Sequence, residues 1–162
     1  MCEDHKKEQI IPASECFAAL EPLLQDGCKF KISPAGMSMY PFLVGGRDEV
    51  FLCSKLKKPA KRGDICLYLR DDQLFILHRI HHINQLGYFM LGDAQTGIEG
   101  PIPKEHIRAT ATAVIWRGKK IPCNRWWLRC LVEIWLWLRP IRPYIMRGYS
   151  RLSHIVTSHS VQ

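Results

Sequence analysis

Three side chains in this sequence have the types and the order that nucleophilic hydrolysis requires. Ser38 lies in the stretch GMSMYPFL, between two methionines. A serine hydroxyl is a poor nucleophile until a nearby base accepts its proton, and the imidazole of His78 could accept it at neutral pH. Asp93, which follows a glycine, could hold that imidazole in one orientation. The three residues could therefore form a catalytic triad.

Each of the three residues also has a purely structural interpretation. A serine near glycine and proline is a common turn former, a histidine on an aliphatic stripe can be a satisfied core residue, and an aspartate after a glycine usually belongs to a turn. If the loop is catalytic, Gly36 lets the backbone approach a substrate and supply oxyanion donors. Pro41 would then stiffen the exit from the loop. Small or apolar side chains could line substrate pockets: Ala35, Met37 and Met39.

The segment LFILHRIHHI, which contains the candidate base, alternates like a β-strand. Residues two apart share a face of a strand, so one face carries Leu74, Ile76, His78, Ile80 and His82, and the other carries Phe75, Leu77, Arg79 and His81. His78 and His82 would lie about 13 Å apart, and His81 would point away from both. Zinc needs ligand nitrogens about 2 Å from the ion, so we expect neither a metal site nor a cofactor.

The elements that must position these residues are mostly short strands. Strand patterns occur at residues 29–32, 50–55, 65–70, 74–83, 87–91 and 109–116. The third and fourth flank a short turn, which predicts a hairpin. Short strands at close spacing favour a curled, barrel-like antiparallel sheet over βαβ units. We therefore expect a mainly β fold with a short N-terminal helix, capped by Ser14 and ended by Gly27, and a C-terminal amphipathic helix.

Charge divides the chain into parts of different character. The net charge is +8, yet residues 1–116 hold 14 Lys/Arg against 14 Asp/Glu, whereas residues 117–151 hold nine basic residues and one acid, Glu133. All five tryptophans lie between positions 116 and 137. We expect a helical segment at 1–27, a β domain at 28–122 and a basic, Trp-rich helical segment at 123–162.

The apolar run 126–138 predicts a helix on a membrane surface. Its 13 residues fall short of the about 20 that cross a bilayer, and Arg129 and Glu133 are spaced to pair on one helical face. Tryptophans with flanking arginines suit the headgroups of an anionic membrane: Trp126, Trp127, Trp135, Trp137, Arg125 and Arg139. We expect this contact through residues 124–148. Packing on the sheet and docking on a partner protein stay open as alternatives.

Composition and sequence pattern disfavour several classes of protein and partner. Seven scattered cysteines without a Cys-x-x-Cys pair disfavour a disulfide framework and a zinc site, and favour reduced thiols in the cytoplasm. The N-terminal stretch MCEDHKKEQII lacks the apolar run of a secretory signal or membrane anchor. Nucleic acid is not an expected partner, because the basic residues flank an apolar run. We expect peripheral membrane association on the cytoplasmic side.

Three blocks in order resemble one superfamily of serine peptidases. The blocks are GMSMYPFLVGGRDEV, RGDICLY…FILHRI and GYFMLGDA, and together they span about residues 28–122. They are similar to the type I signal peptidases and the self-cleaving SOS-response repressors. In that superfamily the serine of the first block is the nucleophile, which implies this role for Ser38. The base before an arginine is a lysine in some members and a histidine in others, so His78-Arg79 resembles the histidine type.

The resemblance also implies further roles and marks departures. Asp93 matches the aspartate of the Gly-Asp block in histidine-type members, and Glu99 is the nearest candidate for a second acid found in some of them. Gly36 stands where many bacterial signal peptidases have a serine that contributes to the oxyanion hole. If the mechanism holds, backbone N–H groups at Ser38 and its neighbour must stabilise the oxyanion.

The expected activity is therefore serine endopeptidase chemistry on an extended leader or signal peptide, or a precursor protein, with small side chains before the cut. Such a substrate would add as a strand beside the sheet. Two alternatives stay open. One is a regulatory peptidase, similar to the SOS repressors, that cleaves itself or a partner. The other is a non-catalytic protein that binds peptides or acts as an adaptor on the same scaffold.

Overall fold

The structure, a computed structural model, describes residue 24 and residues 29–54, 59–71 and 74–145. The helix expected within residues 1–27 lies outside the described residues except for Leu24, which packs against the core. The part of the C-terminal segment beyond residue 145 lies outside them as well. The fold is mainly β, as the strand patterns predict.

The described chain contains eight strands, the complete α-helix Trp126–Trp137 and two short 3-10 turns, and residues 142–145 are helical as well. The strands are β1 (Lys29–Ile32), β2 (Glu49–Cys53), β3 (Ile65–Leu69), β4 (Phe75–Asn84), β5 (Gly87–Leu91), β6 (Glu99–Ile102), β7 (Ile107–Trp116) and β8 (Lys119–Pro122). The helix α1 is Trp126–Trp137, and the 3-10 turns are Lys104–His106 and Arg139–Ile141. The sequence patterns predict six of these strands and the helix, but not β6 and β8.

All eight strands belong to one antiparallel sheet. The order is β1-β2-β7-β3-β4-β5-β6, and β8 pairs with the end of β7. The predicted hairpin is β3–β4, in which Cys66 lies opposite His78. Within the described residues the sheet is open, because β1 and β6 are edge strands without a second partner.

Alternation along the strands divides the core between the two faces of the sheet. On β4, Phe75 and Leu77 belong to one apolar cluster, whereas Ile80 belongs to a second cluster together with Tyr68 of β3. The first cluster includes β1, β2 and β7, and the second includes Tyr88, Met90 and Ile102 of β5 and β6. The buried ring of His78 therefore lies on the face of the second cluster, as the alternation predicts.

A β-bulge interrupts this alternation after Ile80. The register shifts between Ile80 and His82, which pair with Met90 and Phe89. The extra residue turns His81 towards His82, and their Nδ1 atoms lie 2.9 Å apart. The prediction that His81 points away from His82 is therefore wrong, because a bulge adds one residue to the strand and breaks its two-residue period.

Helix α1 packs on the sheet through a face that combines ion pairs with apolar contacts. Arg129 binds Asp64, and Glu133 binds Arg62 at 2.9 Å. Arg129 and Glu133 thus share a face of the helix, as expected. Each forms its ion pair with the loop at residues 61–64, which precedes β3. The prediction that the two pair with each other is wrong, because the loop at residues 61–64 offers each of them a partner of opposite charge.

Apolar contacts complete the docking of α1. Val132 and Leu136 are buried against Leu91, and Trp135 meets the ring of Phe42 edge-on at 6.0 Å between centroids. The opposite face of the helix is exposed, with Trp126 and Trp137 77% and 80% accessible. In the part of the chain that the structure describes, no helix combines the length and the apolar character needed to cross a bilayer.

Candidate active site

Ser38 lies in the loop between β1 and β2, within a tight run of turns. The Tyr40 N–H donates to the carbonyl of Met37 at 3.1 Å, and the Leu43 N–H donates to that of Met39 at 2.9 Å. Gly45 allows the loop to close on itself: a Cβ atom there would lie 2.5 Å from the Gly36 carbonyl oxygen. Turn and nucleophile are therefore compatible interpretations of Ser38, because the residue is only partly buried within the turn.

A buried carboxylate fixes the far end of this loop. Asp48 is fully buried, accepts a hydrogen bond from the Val44 N–H at 2.9 Å and binds the Arg47 guanidinium at 2.7 Å. It also accepts the Arg117 N–H at 3.2 Å from the β7–β8 turn. Burial alone would raise the pKa of Asp48, but these hydrogen bonds outweigh burial and lower it. The loop is thus anchored to the sheet by an ionised group.

The Ser38 backbone meets the Gly-Asp block after β5. The Ala94 N–H donates to the Ser38 carbonyl at 2.9 Å. Gly92 permits this approach because a Cβ atom at that position would lie 2.8 Å from the Ser38 oxygen. The structure therefore brings together the first and third of the sequence blocks, which are more than fifty residues apart.

The second block reaches the same region through the β4–β5 register. Arg79 pairs with Leu91, and continuing this antiparallel register puts His78 across from Gly92. His78 is 7% exposed. Its Nδ1 lies 3.3 Å from the Tyr68 hydroxyl, which donates to Glu99 Oε2 at 2.7 Å. Glu99 is thus connected to His78 through Tyr68, a residue that the sequence patterns did not single out.

The surroundings of His78 set its protonation. Burial lowers the pKa of the imidazole from its ordinary value of 6.5, while the negative charges of Glu99 and then Asp93 act in the opposite direction. The lowered pKa keeps the ring neutral at neutral pH, which is the form that can accept a proton. The two nearby carboxylates would stabilise the imidazolium once it forms.

Asp93 makes its hydrogen bonds with a different partner from the expected one. Both carboxylate oxygens accept from Arg79, at 2.8 Å and 2.6 Å, and a third nitrogen of Arg79 donates to the Gly63 carbonyl. Both side chains are buried. Within the described residues, the His78 ring forms its side-chain hydrogen bond with Tyr68 and none with Asp93. An orienting role for Asp93 stays a prediction, and its observed role is to neutralise Arg79.

Residues from the C-terminal segment donate hydrogen bonds to backbone carbonyls of the Gly-Asp block. The Trp135 indole donates to the Asp93 carbonyl at 2.8 Å. The fully buried Arg142 donates to the carbonyls of Gly92 and Gln95, at 3.3 Å and 2.9 Å, and to that of Trp135. Trp135 differs in this respect from the membrane-facing position expected of it. The sequence groups Arg142 with the arginines expected at lipid headgroups; that expectation is wrong for this residue, because its guanidinium is buried against backbone carbonyls.

The remaining predicted site residues separate into two groups. Gly36 has a positive φ of 69°, and Met37 beside it is 53% exposed, so both remain near the surface of the Ser38 turn. Met39 is buried in the core. Pro41 lines a cavity of about 240 Å³ between α1 and the sheet, and neither Ser38 nor His78 lines that cavity. This apolar cavity is thus separate from the candidate catalytic residues.

Nucleophilic chemistry at this site would require Ser38 and His78 to come together when a substrate binds. No hydrogen bond joins the Ser38 hydroxyl to His78 within the described residues, and catalytic hydrogen bonds often tighten only when a substrate binds. Groups of three or more potential metal ligands do not occur in the described ranges. No family model, curated protein or solved structure matches this chain, so the family resemblance depends on the three sequence blocks themselves.

Proposed function

We propose that the protein is a serine endopeptidase similar to the histidine-type signal peptidases, with Ser38 as nucleophile and His78 as general base. The observation that carries this proposal is the convergence of three separate blocks. The Ser38 carbonyl is hydrogen-bonded to the Gly-Asp block at Ala94, and Arg79, the residue after His78, pairs with Leu91 immediately before that block. The Ser38 loop and the strand that carries His78 therefore both adjoin the Gly-Asp block.

The hydrogen bonds around His78 favour one tautomer. Because the Tyr68 hydroxyl donates its proton to Glu99, its oxygen can accept a hydrogen bond from the Nδ1–H of His78. Nε2 is then unprotonated and can take the Ser38 proton as the hydroxyl attacks a peptide carbonyl. It returns that proton to the leaving amine when the peptide bond breaks. Tyr68 and Glu99 are positioning residues for this base.

The turn at Ser38 also supports the expected oxyanion hole. No hydrogen bond from the N–H of Ser38 or Met39 is made to any described residue. These two N–H groups can therefore donate hydrogen bonds to the substrate carbonyl oxygen as negative charge develops on it. This is consistent with a glycine at position 36, where no side-chain hydroxyl is present.

Cleavage of leader-type peptides by the purified protein tests the chemistry. The parent should cleave peptides with small residues before the cut, and Ser38→Ala and His78→Ala should each abolish cleavage. Ser54→Ala and His82→Gln are matched controls outside the site and should retain it. Cleavage that persists in both site variants would disprove the mechanism. A folded parent that binds these peptides without cutting them would favour a non-catalytic peptide-binding protein.

A membrane surface is the partner that the exposed face of α1 fits best. Trp126, Ile134 and Trp137 are between 55% and 80% exposed, and Arg125 and Arg139 lie at the two ends of the helix. Such a face inserts into the headgroup region and is attracted by anionic lipid. The parent should sediment with phosphatidylglycerol vesicles, and Trp137→Ser should weaken this binding. Equal sedimentation of the two proteins, or no sedimentation of the parent, would contradict the proposal.

A further inference from the structure

The cavity between α1 and the sheet has no role in the proposed chemistry. Its volume is about 240 Å³, and its walls are largely aliphatic, with Val114 and Ile121 on the sheet side and Leu128 and Val132 on the helix side. An apolar cavity of about 150 Å³ stays free of water and binds benzene. The cavity is therefore large enough for a segment of an alkyl chain.

The mouth of the cavity is continuous with the exposed face of α1. Trp116 and Trp127 line the cavity and are 42% and 39% exposed, and Leu131 beside them is 48% exposed. Ile134 lies on the same helical face, three residues after Leu131, and is 55% exposed. An apolar chain could thus pass from the exposed helix face into the cavity without crossing polar surface.

The charged residues of the lining are already paired. Arg129 binds Asp64, and Arg79 binds Asp93, so among the described residues the wall offers no unpaired charge for a ligand. A buried charge would be costly without a partner, which requires that the inserted part of the occupant be apolar.

The rim of the cavity is basic. The Arg117 guanidinium lies 5.6 Å from the centre of the Trp116 ring at the mouth. Lys119 pairs with Trp116 across the β7–β8 ladder, and Arg125 immediately precedes α1. The acid nearest to this turn, Asp48, is buried and bound by Arg47. A rim of this charge attracts an anionic headgroup, so the complete occupant combines an apolar chain with a negative end.

We propose that this cavity receives one acyl chain of an anionic membrane phospholipid, whose headgroup lies on the basic rim. The inference rests on the membrane surface proposed for α1 and does not depend on the chemistry at Ser38. A cavity that accepts a chain would hold the protein on the bilayer in one orientation, whereas a flat apolar face would leave rotation about the membrane normal and tilt less restricted.

Titration with a soluble acyl probe, 11-dansylaminoundecanoate, tests the cavity directly. We expect saturable binding of one probe per chain, displaced by phosphatidylglycerol vesicles. Ile121→Phe fills the cavity, and Leu128→Phe does so from the helix side if the first variant unfolds. Exclusion of about two methylene groups weakens binding about tenfold. Ile134→Phe makes the same kind of change outside the cavity and should bind the probe like the parent.

The remaining outcomes separate the possible occupants. Parent-like affinity in a folded Ile121→Phe protein would overturn the assignment of the cavity. Probe binding without any binding to phosphatidylglycerol vesicles would refute the membrane source and the proposed surface together. Displacement of the probe by a leader peptide, but not by vesicles, would assign the cavity to the substrate. Ser38→Ala should bind probe and vesicles unchanged, so a failure of the peptidase proposal would not affect these results.

Discussion

The buried pair of Arg79 and Asp93 allows the structural role of Asp93 to be measured apart from catalysis. Asp93→Asn keeps the shape of the side chain but removes the charge that faces Arg79. Arg79 is 4% exposed, and its other polar contact is the Gly63 carbonyl. The ring of Phe42, 5.2 Å from the guanidinium carbon, cannot replace a carboxylate. The substitution therefore leaves a buried cation without its counter-charge.

The expected loss follows from this burial. Removing one partner of a buried ion pair costs about 3–5 kcal/mol. For a chain of this size that lowers the melting temperature by roughly 6–20 °C. The exposed pair of Arg62 and Glu133, with side chains 41% and 47% accessible, is the matched control. Glu133→Gln should cost at most about 1 kcal/mol.

Urea unfolding followed by tryptophan fluorescence measures both variants, since Trp135 donates directly to the Asp93 carbonyl. The double variant Arg79→Met with Asp93→Leu should recover most of the loss, because neither charge then remains buried alone. A loss for Asp93→Asn no larger than that for Glu133→Gln would refute the argument. Peptide cleavage by the folded Asp93→Asn protein would then show separately whether the carboxylate also acts on His78.

Two further predictions concern the candidate site, and a third concerns His81 at the bulge of β4. Gly92→Ala should displace the Ser38 turn, because its Cβ would lie 2.8 Å from the Ser38 carbonyl oxygen, and should lower kcat/KM at least about tenfold. Gly97→Ala is the control, because a Cβ there would meet no atom within 4 Å, and its kcat/KM should stay at the parent value. Equal kcat/KM values for the two variants would contradict the importance of the Gly92 contact. Tyr68→Phe removes the hydroxyl between His78 and Glu99, which costs roughly 1 kcal/mol of hydrogen bonding, and should shift the acidic limb of the pH–rate profile; an unchanged profile would exclude Tyr68 as a positioning residue. Burial, and then the electrostatic effect of Arg62 and His82, lowers the pKa of His81 from 6.5 to about 4. The unfolded chain therefore binds this proton first as the pH falls, and stability should decrease between pH 6.5 and about 4. The urea midpoint should vary less with pH across that range in His81→Gln than in the parent. The same pH dependence in both proteins would refute this prediction.

The main strands were predictable because side-chain alternation is a local property. The patterns at β3, β4 and β5 give the hairpin and the inward-facing position of His78. The two missed strands are short and polar at their surface: β6 reads Glu-Gly-Pro-Ile, and β8 begins with two lysines. Pairing with a neighbour, rather than intrinsic preference, makes these segments strands.

The candidate site was predictable only as far as its residue types. Ser38, His78 and Asp93 could be selected from the sequence, yet nothing local indicates that Asp93 binds Arg79, one residue after the base. The contact between His78 and Tyr68 depends on the β3–β4 register. The bulge at His81 likewise depends on how β5 pairs. Such contacts arise from tertiary packing, which periodicity does not contain.

The way α1 is fastened has a thermodynamic consequence for whatever it meets. Ion pairs with residues 62 and 64, together with buried Val132 and Leu136, fold the helix before any partner arrives. An isolated 12-residue peptide would have to nucleate its helix on binding and lose that entropy from its affinity. In this protein the contacts within the domain already order the helix before it binds anything. Association should therefore leave the far-ultraviolet circular dichroism almost unchanged, and its heat-capacity change should report buried apolar surface alone.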